Sequence, residues 1–122
     1  MMQQRHTKRL LVLFLAIVVC SIGAQAQRWN WVVPATGPSF DEVWSMGIAP
    51  GGDLHLVGTF SDSMNFSGQV VSAYGNYDIF TARYNNKGQI LAANGHGGFD
   101  IDDAQSIVVD KNGNYYFGGS FA

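Results

Sequence analysis

The chain writes one stretch twice. Asp41 to Phe60 reads DEVWSMGIAPGGDLHLVGTF and Asp102 to Phe121 reads DDAQSIVVDKNGNYYFGGSF, at a constant ungapped offset (102 − 41 = 61). Asp41 falls on Asp102, Ser45 on Ser106, Gly52 on Gly113, Gly58 on Gly119 and Phe60 on Phe121; upstream, Gly37 falls on Gly98. Glu42/Asp103, Met46/Ile107, Ile48/Val109, Leu56/Phe117 and Thr59/Ser120 keep their character. Such a period marks stacked copies of one supersecondary unit, none of which buries its apolar faces alone. It fixes an architecture and argues against reading any single residue as a dedicated active site.

The unit is built of strands. No window beyond Gln27 places apolar residues at sustained helical spacing, whereas runs rich in β-branched and aromatic residues recur between Gly, Asn, Asp and Pro. Trp29–Val33, Val43–Ala49, Asp53–Phe60 and Gln69–Tyr74 are expected strands, as are Asp78–Asn85, Gln89–Ala93, Ser106–Asp110 and Asn114–Phe121. Lys111-Asn112-Gly113-Asn114 predicts a type I′ hairpin turn through its Asn-Gly pair, with Pro50-Gly51-Gly52-Asp53 its equivalent and Asn85-Asn86-Lys87-Gly88 a third turn. Consecutive short strands joined this way predict an antiparallel meander, and Ser61–Asn76 is expected to form an extra loop or hairpin. Leu54, Leu56, Gly58 and Phe60 share one face of their strand; His55, Val57 and Thr59 share the other. In the second copy Tyr115, Phe117, Gly119 and Phe121 oppose Tyr116, Gly118 and Ser120. Both faces are apolar or small, so both are expected to be covered, and Gly58 and Gly119 are expected where a neighbouring sheet approaches closely. The fold class is therefore all-β: antiparallel four-stranded blades of a β-propeller-type repeat.

The N-terminus reads as an address. Arg5, Lys8 and Arg9 precede an unbroken apolar run from Leu10 to Cys20, and Ala24-Gln25-Ala26 supplies a signal-peptidase pattern. Residues 1–26 are expected to be a signal peptide cleaved between Ala26 and Gln27. The run is short of the about 20 residues a bilayer span needs, so no stable membrane span is expected after cleavage. The remaining 27–122 carries Arg28, Arg83, Lys87 and Lys111 against nine acidic residues, 4 − 9 = −5, which disfavours nucleic acid and anionic membrane as partners. It has no cysteine, so neither disulfides nor thiolate zinc sites are available to it. With 96/61, about one and a half repeats, where such arrays use three or more, an N-terminal piece of a longer protein with further repeats in cis is expected.

Ser106-Ile-Val-Val-Asp-Lys-Asn-Gly-Asn-Tyr-Tyr-Phe-Gly-Gly-Ser-Phe resembles the core of the bacterial SBBP-type β-propeller repeats, roughly A-x-S-I-A-V-D-x-x-G-N-V-Y-V-T-G-x-F. Asp78-Ile-Phe-Thr-Ala-Arg-Tyr-Asn-Asn-Lys-Gly-Gln-Ile-Leu resembles the next segment, roughly D-A-F-V-A-K-Y-D-x-x-G-x-x-L-W, and Gly97-Gly98 the glycine pair ending a repeat. The first copy departs from the pattern, with Ala49-Pro50-Gly51-Gly52-Asp53 in place of Asp-x-x-Gly-Asn. The resemblance implies a secreted or cell-surface protein whose repeats scaffold adhesion or ligand binding.

Chemistry-bearing groupings have plainer readings beside them. Asp110, Asn112 and Asn114 alternate oxygen ligands as a calcium loop does, but the glycine and glutamate positions of an EF-hand are not met, and a hairpin turn accounts for all three. Asp100, Asp102 and Asp103 offer paired carboxylates, which a solvated loop also explains. His55 and His96 fall opposite Tyr116 and Ala35, so they do not recur. Trp29, Trp31 and Trp44 suit sugar stacking if exposed and a core if not. No nucleophile elbow, H-E-x-x-H or phosphate loop is present. The expected function is a non-enzymatic exported scaffold for adhesion or ligand binding, carbohydrate among the candidates, with no catalytic residue and no cofactor beyond the calcium candidate. The alternative is the N-terminal part of a secreted propeller hydrolase or lyase whose catalytic residues lie elsewhere.

Overall fold

The structure, a computed structural model, describes residues 28–122; the expected signal peptide and the Ala26–Gln27 junction lie outside the described residues. Nine strands follow one another without a helix among the described residues: β1 (Ala35–Thr36), β2 (Asp41–Ile48), β3 (Leu54–Phe60), β4 (Ser63–Phe66), β5 (Gln69–Ser72), β6 (Asp78–Tyr84), β7 (Ile90–His96), β8 (Asp103–Val109) and β9 (Tyr115–Ser120). They form a four-stranded sheet in the order β2-β3-β6-β7, a three-stranded sheet β1-β4-β5 and a two-stranded sheet β8-β9. Every ladder is antiparallel, with one parallel bridge between Tyr77 and Ile101.

The four-stranded sheet is the meander predicted from the turns, interrupted between β3 and β6 by the β4–β5 hairpin. Its two faces carry two cores. Phe60, Met64, Phe66, Phe80 and Tyr84 close the face under β1-β4-β5, while Val57 and Ile79 meet Ala104 and Ile107 on the face under β8-β9. Alternate residues of β3 therefore divide between the cores as the sequence suggests. Five aromatic or branched side chains, Phe60, Phe66, Phe80, Ile79 and Val57, are wholly buried, each contributing about 1.5–3 kcal/mol of transfer free energy.

Three turns share one geometry. Gly52, Gly88 and Gly113 donate to the carbonyls of Ala49, Asn85 and Asp110, and those residues in turn donate to the carbonyls of Asp53, Gln89 and Asn114. In each turn the positive φ falls on the glycine alone, at 89°, 78° and 85°. This is a turn followed by a left-handed glycine bulge, not the expected type I′ pair. At the third of these turns Asp110 reinforces the geometry, its Oδ1 accepting from the N–H of Asn112 and of Asn114 at 2.8 and 2.9 Å. The two positive φ values of a type I′ turn occur instead at Ser67 (52°) and Gly68 (100°), between β4 and β5.

The repeat survives in three dimensions, down to its irregularities. β2 bulges between Val43 and Ser45, and β8 bulges at the equivalent place in the second copy, between Ala104 and Ser106. Opposite each bulge stands a repeated glycine: a Cβ on Gly58 would overlap the Glu42 carbonyl and the Phe80 ring, and one on Gly119 would overlap the Asp103 carbonyl. The expectation of a close neighbouring sheet is corrected accordingly, since the crowding comes from the bulged partner strand within the same sheet.

Other expectations are also corrected. Trp29–Val33 forms no strand; pairing begins at Ala35, after Pro34, whose nitrogen has no hydrogen to give a ladder. The second copy is covered on one face only, for Tyr116, Gly118 and Ser120 are exposed while Phe117 packs inward. Asp102 is not in a solvated loop; it is 1 % exposed.

Candidate ligand site

Two hollows flank the four-stranded sheet. On the β8-β9 side, β3, β6 and β7 present His55, Arg83 and Ala92 in one row, Val57, Thr81 and Asn94 in the next, and Thr59, Ile79 and His96 in a third. The β8–β9 hairpin lies over β2 and β3, leaving a cleft of about 100 Å³ lined by His55, Thr81, Arg83, Asn94, Ile107 and Tyr115. His55 is buried with its ring 5.0 Å from that of Tyr115, and His96 stands 5.3 Å from Phe117. His96 Nε2 and Thr81 Oγ1 share a hydrogen bond of 3.0 Å. Burial pushes both imidazoles below their ordinary range, with the Arg83 charge adding to the effect at His55 and Asp53 opposing it. Both shifts favour the uncharged imidazole. Arg83 is neutralised in turn, its Nε donating to Asp53 Oδ2 at 3.0 Å. The cleft offers neutral hydrogen-bonding groups and aromatic edges, and its volume falls below the about 300–1,000 Å³ that engulfs a whole small ligand. It suits one polar group of a larger partner.

The hollow on the other face is about 280 Å³ and is walled by Trp31, Val33, Leu54, Leu56 and Tyr84, with Asp41 and Glu42 at one end. Trp31 is held over it by a bond from its Nε1 to the Asn86 carbonyl at 3.1 Å and by stacking on Tyr84 at 6.4 Å. Of the other tryptophans, Trp29 is 89 % exposed and Trp44, the bulged residue of β2, is 47 % exposed. The three indoles thus divide: one lines a hollow and two face water.

A scan against protein-family models finds no match, and neither does a search of the curated proteins.

The three acidic candidates serve separate ends. Asp100 is exposed. Asp102 accepts from Gly98 N–H at 2.5 Å and from Ala122 N–H at 2.9 Å, and Asp103 accepts from Thr59 Oγ1 at 2.7 Å. They do not form a carboxylate pair facing one substrate. Asp41, the counterpart of Asp102, bonds the Gly37 backbone just as Asp102 bonds Gly98, so both partners recur in register. Its Oδ1, however, is buried and unpartnered. Ser61 stands where Ala122 stands in the second copy, and its N–H goes to the Phe40 carbonyl instead. Burial accordingly pushes the Asp41 carboxyl up, against the lowering bond from Gly37.

Asp110, Asn112 and Asn114 are brought together by their turn. Both carboxylate oxygens of Asp110 accept bonds there, Oδ2 from Asn114 Nδ2 at 2.8 Å. Asn85 takes two equivalent backbone bonds with its neutral Oδ1, at 2.9 and 3.0 Å, and Ala49 builds the same turn with no side-chain acceptor, so these bonds reinforce the turn without a charge being needed. His55 and His96 share a face but stand two strands apart, and among the described residues no group of three or more His, Cys, Asp or Glu side chains gathers as metal ligands would. The Asp102 and Thr59 roles escaped sequence reasoning, although Gly37/Gly98 and Thr59/Ser120 recur in register and carried the signal.

Proposed function

We propose that the chain is an exported, non-enzymatic scaffold whose sheets stack as blades of a propeller-type repeat of the SBBP kind, presenting a surface for adhesion or for binding an extracellular ligand. One observation carries this reading. The β8–β9 hairpin begins a second sheet one repeat after β2–β3, reproduces its bulge and its crowded glycine, and lies face-on against the first sheet through Ala104 and Ile107. Stacked copies of one sheet make an extended surface whose binding groups vary while the frame stays fixed. The binding groups that suit carbohydrate are the exposed Trp29 and Trp44 and the Trp31–Tyr84 wall, since flat aromatic faces hold apolar ring faces while nearby carboxylates accept hydroxyl protons.

Titration with soluble oligosaccharides, followed by tryptophan fluorescence, tests it. A saturable change that weakens in Trp44→Ala or Trp29→Ala supports the reading. Absence of binding to a panel of glycans and extracellular matrix proteins overturns it.

A further inference from the structure

Of the chain's three histidines, His6 falls in the expected signal peptide, and the other two stand under one strand. His55 on β3 meets the Tyr115 ring at 5.0 Å and His96 on β7 meets the Phe117 ring at 5.3 Å, so one face of β9 rests on two imidazoles of the first sheet. These are the side chains whose charge changes nearest neutral pH. Neither ring has an acid free to answer a charge. His55 is 4 % exposed; Gly47 of β2 and Arg83 of β6 lie directly opposite it in register, and Asp53 is engaged by Arg83. A second cation there would face the guanidinium across the sheet, where like charges repel. His96 stands opposite Ile79 and shares its bond with Thr81. The carboxylates of the neighbouring loops are taken: Asp78 by the N–H groups of Tyr74 and Gly75, Asp102 by those of Gly98 and Ala122, and Asp103 by Thr59. The β8–β9 hairpin presents Ile107, Tyr115 and Phe117 to this contact, none of them charged near neutral pH. Among the described residues neither imidazole forms a salt bridge.

We propose that His55 and His96 are a proton-operated catch between the stacked repeats: the β8–β9 hairpin stays docked while both imidazoles are uncharged, and protonation releases it from the first sheet. A proton on either ring puts a charge into a desolvated contact, and that charge is hydrated only if the hairpin lifts and water reaches the ring. Burial favours the uncharged form at both sites, and at His55 the Arg83 charge acts in the same sense against the weaker pull of Asp53. The docked rings therefore bind protons less readily than a free imidazole, whose pKa is about 6.5. Docking is at full strength above that pH and weakens as pH falls below it, because the released state takes up protons first. Release uncovers the face of the first sheet that the second repeat covers at neutral pH. The catch rests on the repeat stacking and is independent of the ligand reading above.

Hydrogen exchange of the full chain at pH 7, 6 and 5, corrected for intrinsic exchange rates, tests it. The expected loss is selective. Protection of the β8 and β9 amides falls by up to about tenfold per histidine for each pH unit below 6.5, about a hundredfold for the pair, while the β3 and β6 amides hold theirs. The double variant His55→Gln with His96→Gln cannot take up the protons and keeps the hairpin's protection nearly constant from pH 7 to pH 5. NMR titration of the imidazole C2–H signals in the unsubstituted chain gives a reading that needs no variant. Both midpoints are expected below 6.5, with the Tyr115 and Phe117 ring signals moving in step. Equal β8–β9 protection at pH 7 and pH 5 overturns the proposal. So does a loss spread evenly over both sheets, which is general acid unfolding. A double variant whose hairpin is released in acid as the wild type's is, or midpoints at or above 6.5, overturns it as well.

Discussion

Thr59 of the first repeat donates to Asp103 of the second at 2.7 Å, and its oxygen accepts from the Ala104 N–H at 3.3 Å. One hydroxyl thus ties two sheets together at a point where Thr59 is 4 % exposed and Ala104 wholly buried. Thr59→Val keeps the shape and leaves the Ala104 donor unpaired, a loss of about 1–3 kcal/mol. Thr59→Ser is expected to retain most of the wild-type stability. Urea unfolding of the three proteins checks this, and equal midpoints for all three would contradict it.

Asp41 and Asp102 occupy the same place in successive repeats with opposite satisfaction. Asp102→Ala leaves two part-buried backbone donors without their acceptor and is expected to cost about 1–3 kcal/mol. Asp41→Asn keeps an acceptor for Gly37 and removes a carboxylate that burial disfavours. Because the folded pKa of Asp41 lies above its unfolded value, its contribution favours folding at low pH and is lost as pH rises through the carboxylate range. The Asn variant therefore gains stability relative to wild type on going from pH 4 to pH 7, which thermal melts at the two pH values read directly.

Asp110 behaves in the opposite sense. Bonds from Asn114, reinforced by the Asn112 N–H and the Tyr116 hydroxyl, hold its carboxyl below the usual carboxylate value despite an opposing effect of desolvation. Its folded pKa is depressed, so the turn's contribution is present above the unfolded pKa of about 3.9 and lost as pH falls through the folded value. NMR titration is expected to show the Asn112 and Asn114 amides shifting with a midpoint below that of a free aspartate. In Asp110→Asn, which copies Asn85, that titration disappears while the hairpin persists.

The sequence made the unit legible and left its seams obscure. The repeat period, the glycine turns and the alternation Leu54/His55/Leu56/Val57 led directly to the meander and to its two cores, because strand patterning depends on neighbours two positions apart. The β4 strand was hidden, since Ser63-Met64-Asn65-Phe66 is short and becomes a strand only by pairing with β5 and covering Phe80. The type I′ expectation at Asn112-Gly113 failed because the strands close between Asp110 and Asn114, a longer loop in which only Gly113 takes a positive φ, as Gly52 does after Ala49. Asp102 read as a solvated acid because its partners, Gly98 and Ala122, are backbone groups that leave no residue-type signal. The same holds for the site: the exposure of Trp29 and Trp44 and the cover over Trp31 are set by tertiary packing around Asn86 and the β2 bulge, not by local composition.

The central claim is that the second repeat lies face-on against the first, with β8 over β2. A Cβ built on Gly47 stands 3.8 Å from the Cβ of Val109, the mean separation across a disulfide, about 3.8 Å. Cys20 is the chain's one native cysteine, so Gly47→Cys with Val109→Cys in a Cys20→Ser background isolates the pair. Mild oxidation should consume both thiols within one molecule, seen as loss of thiol titre and a faster non-reducing band at monomer mass. Thiols that stay free, or link only between molecules, would contradict the stacked arrangement.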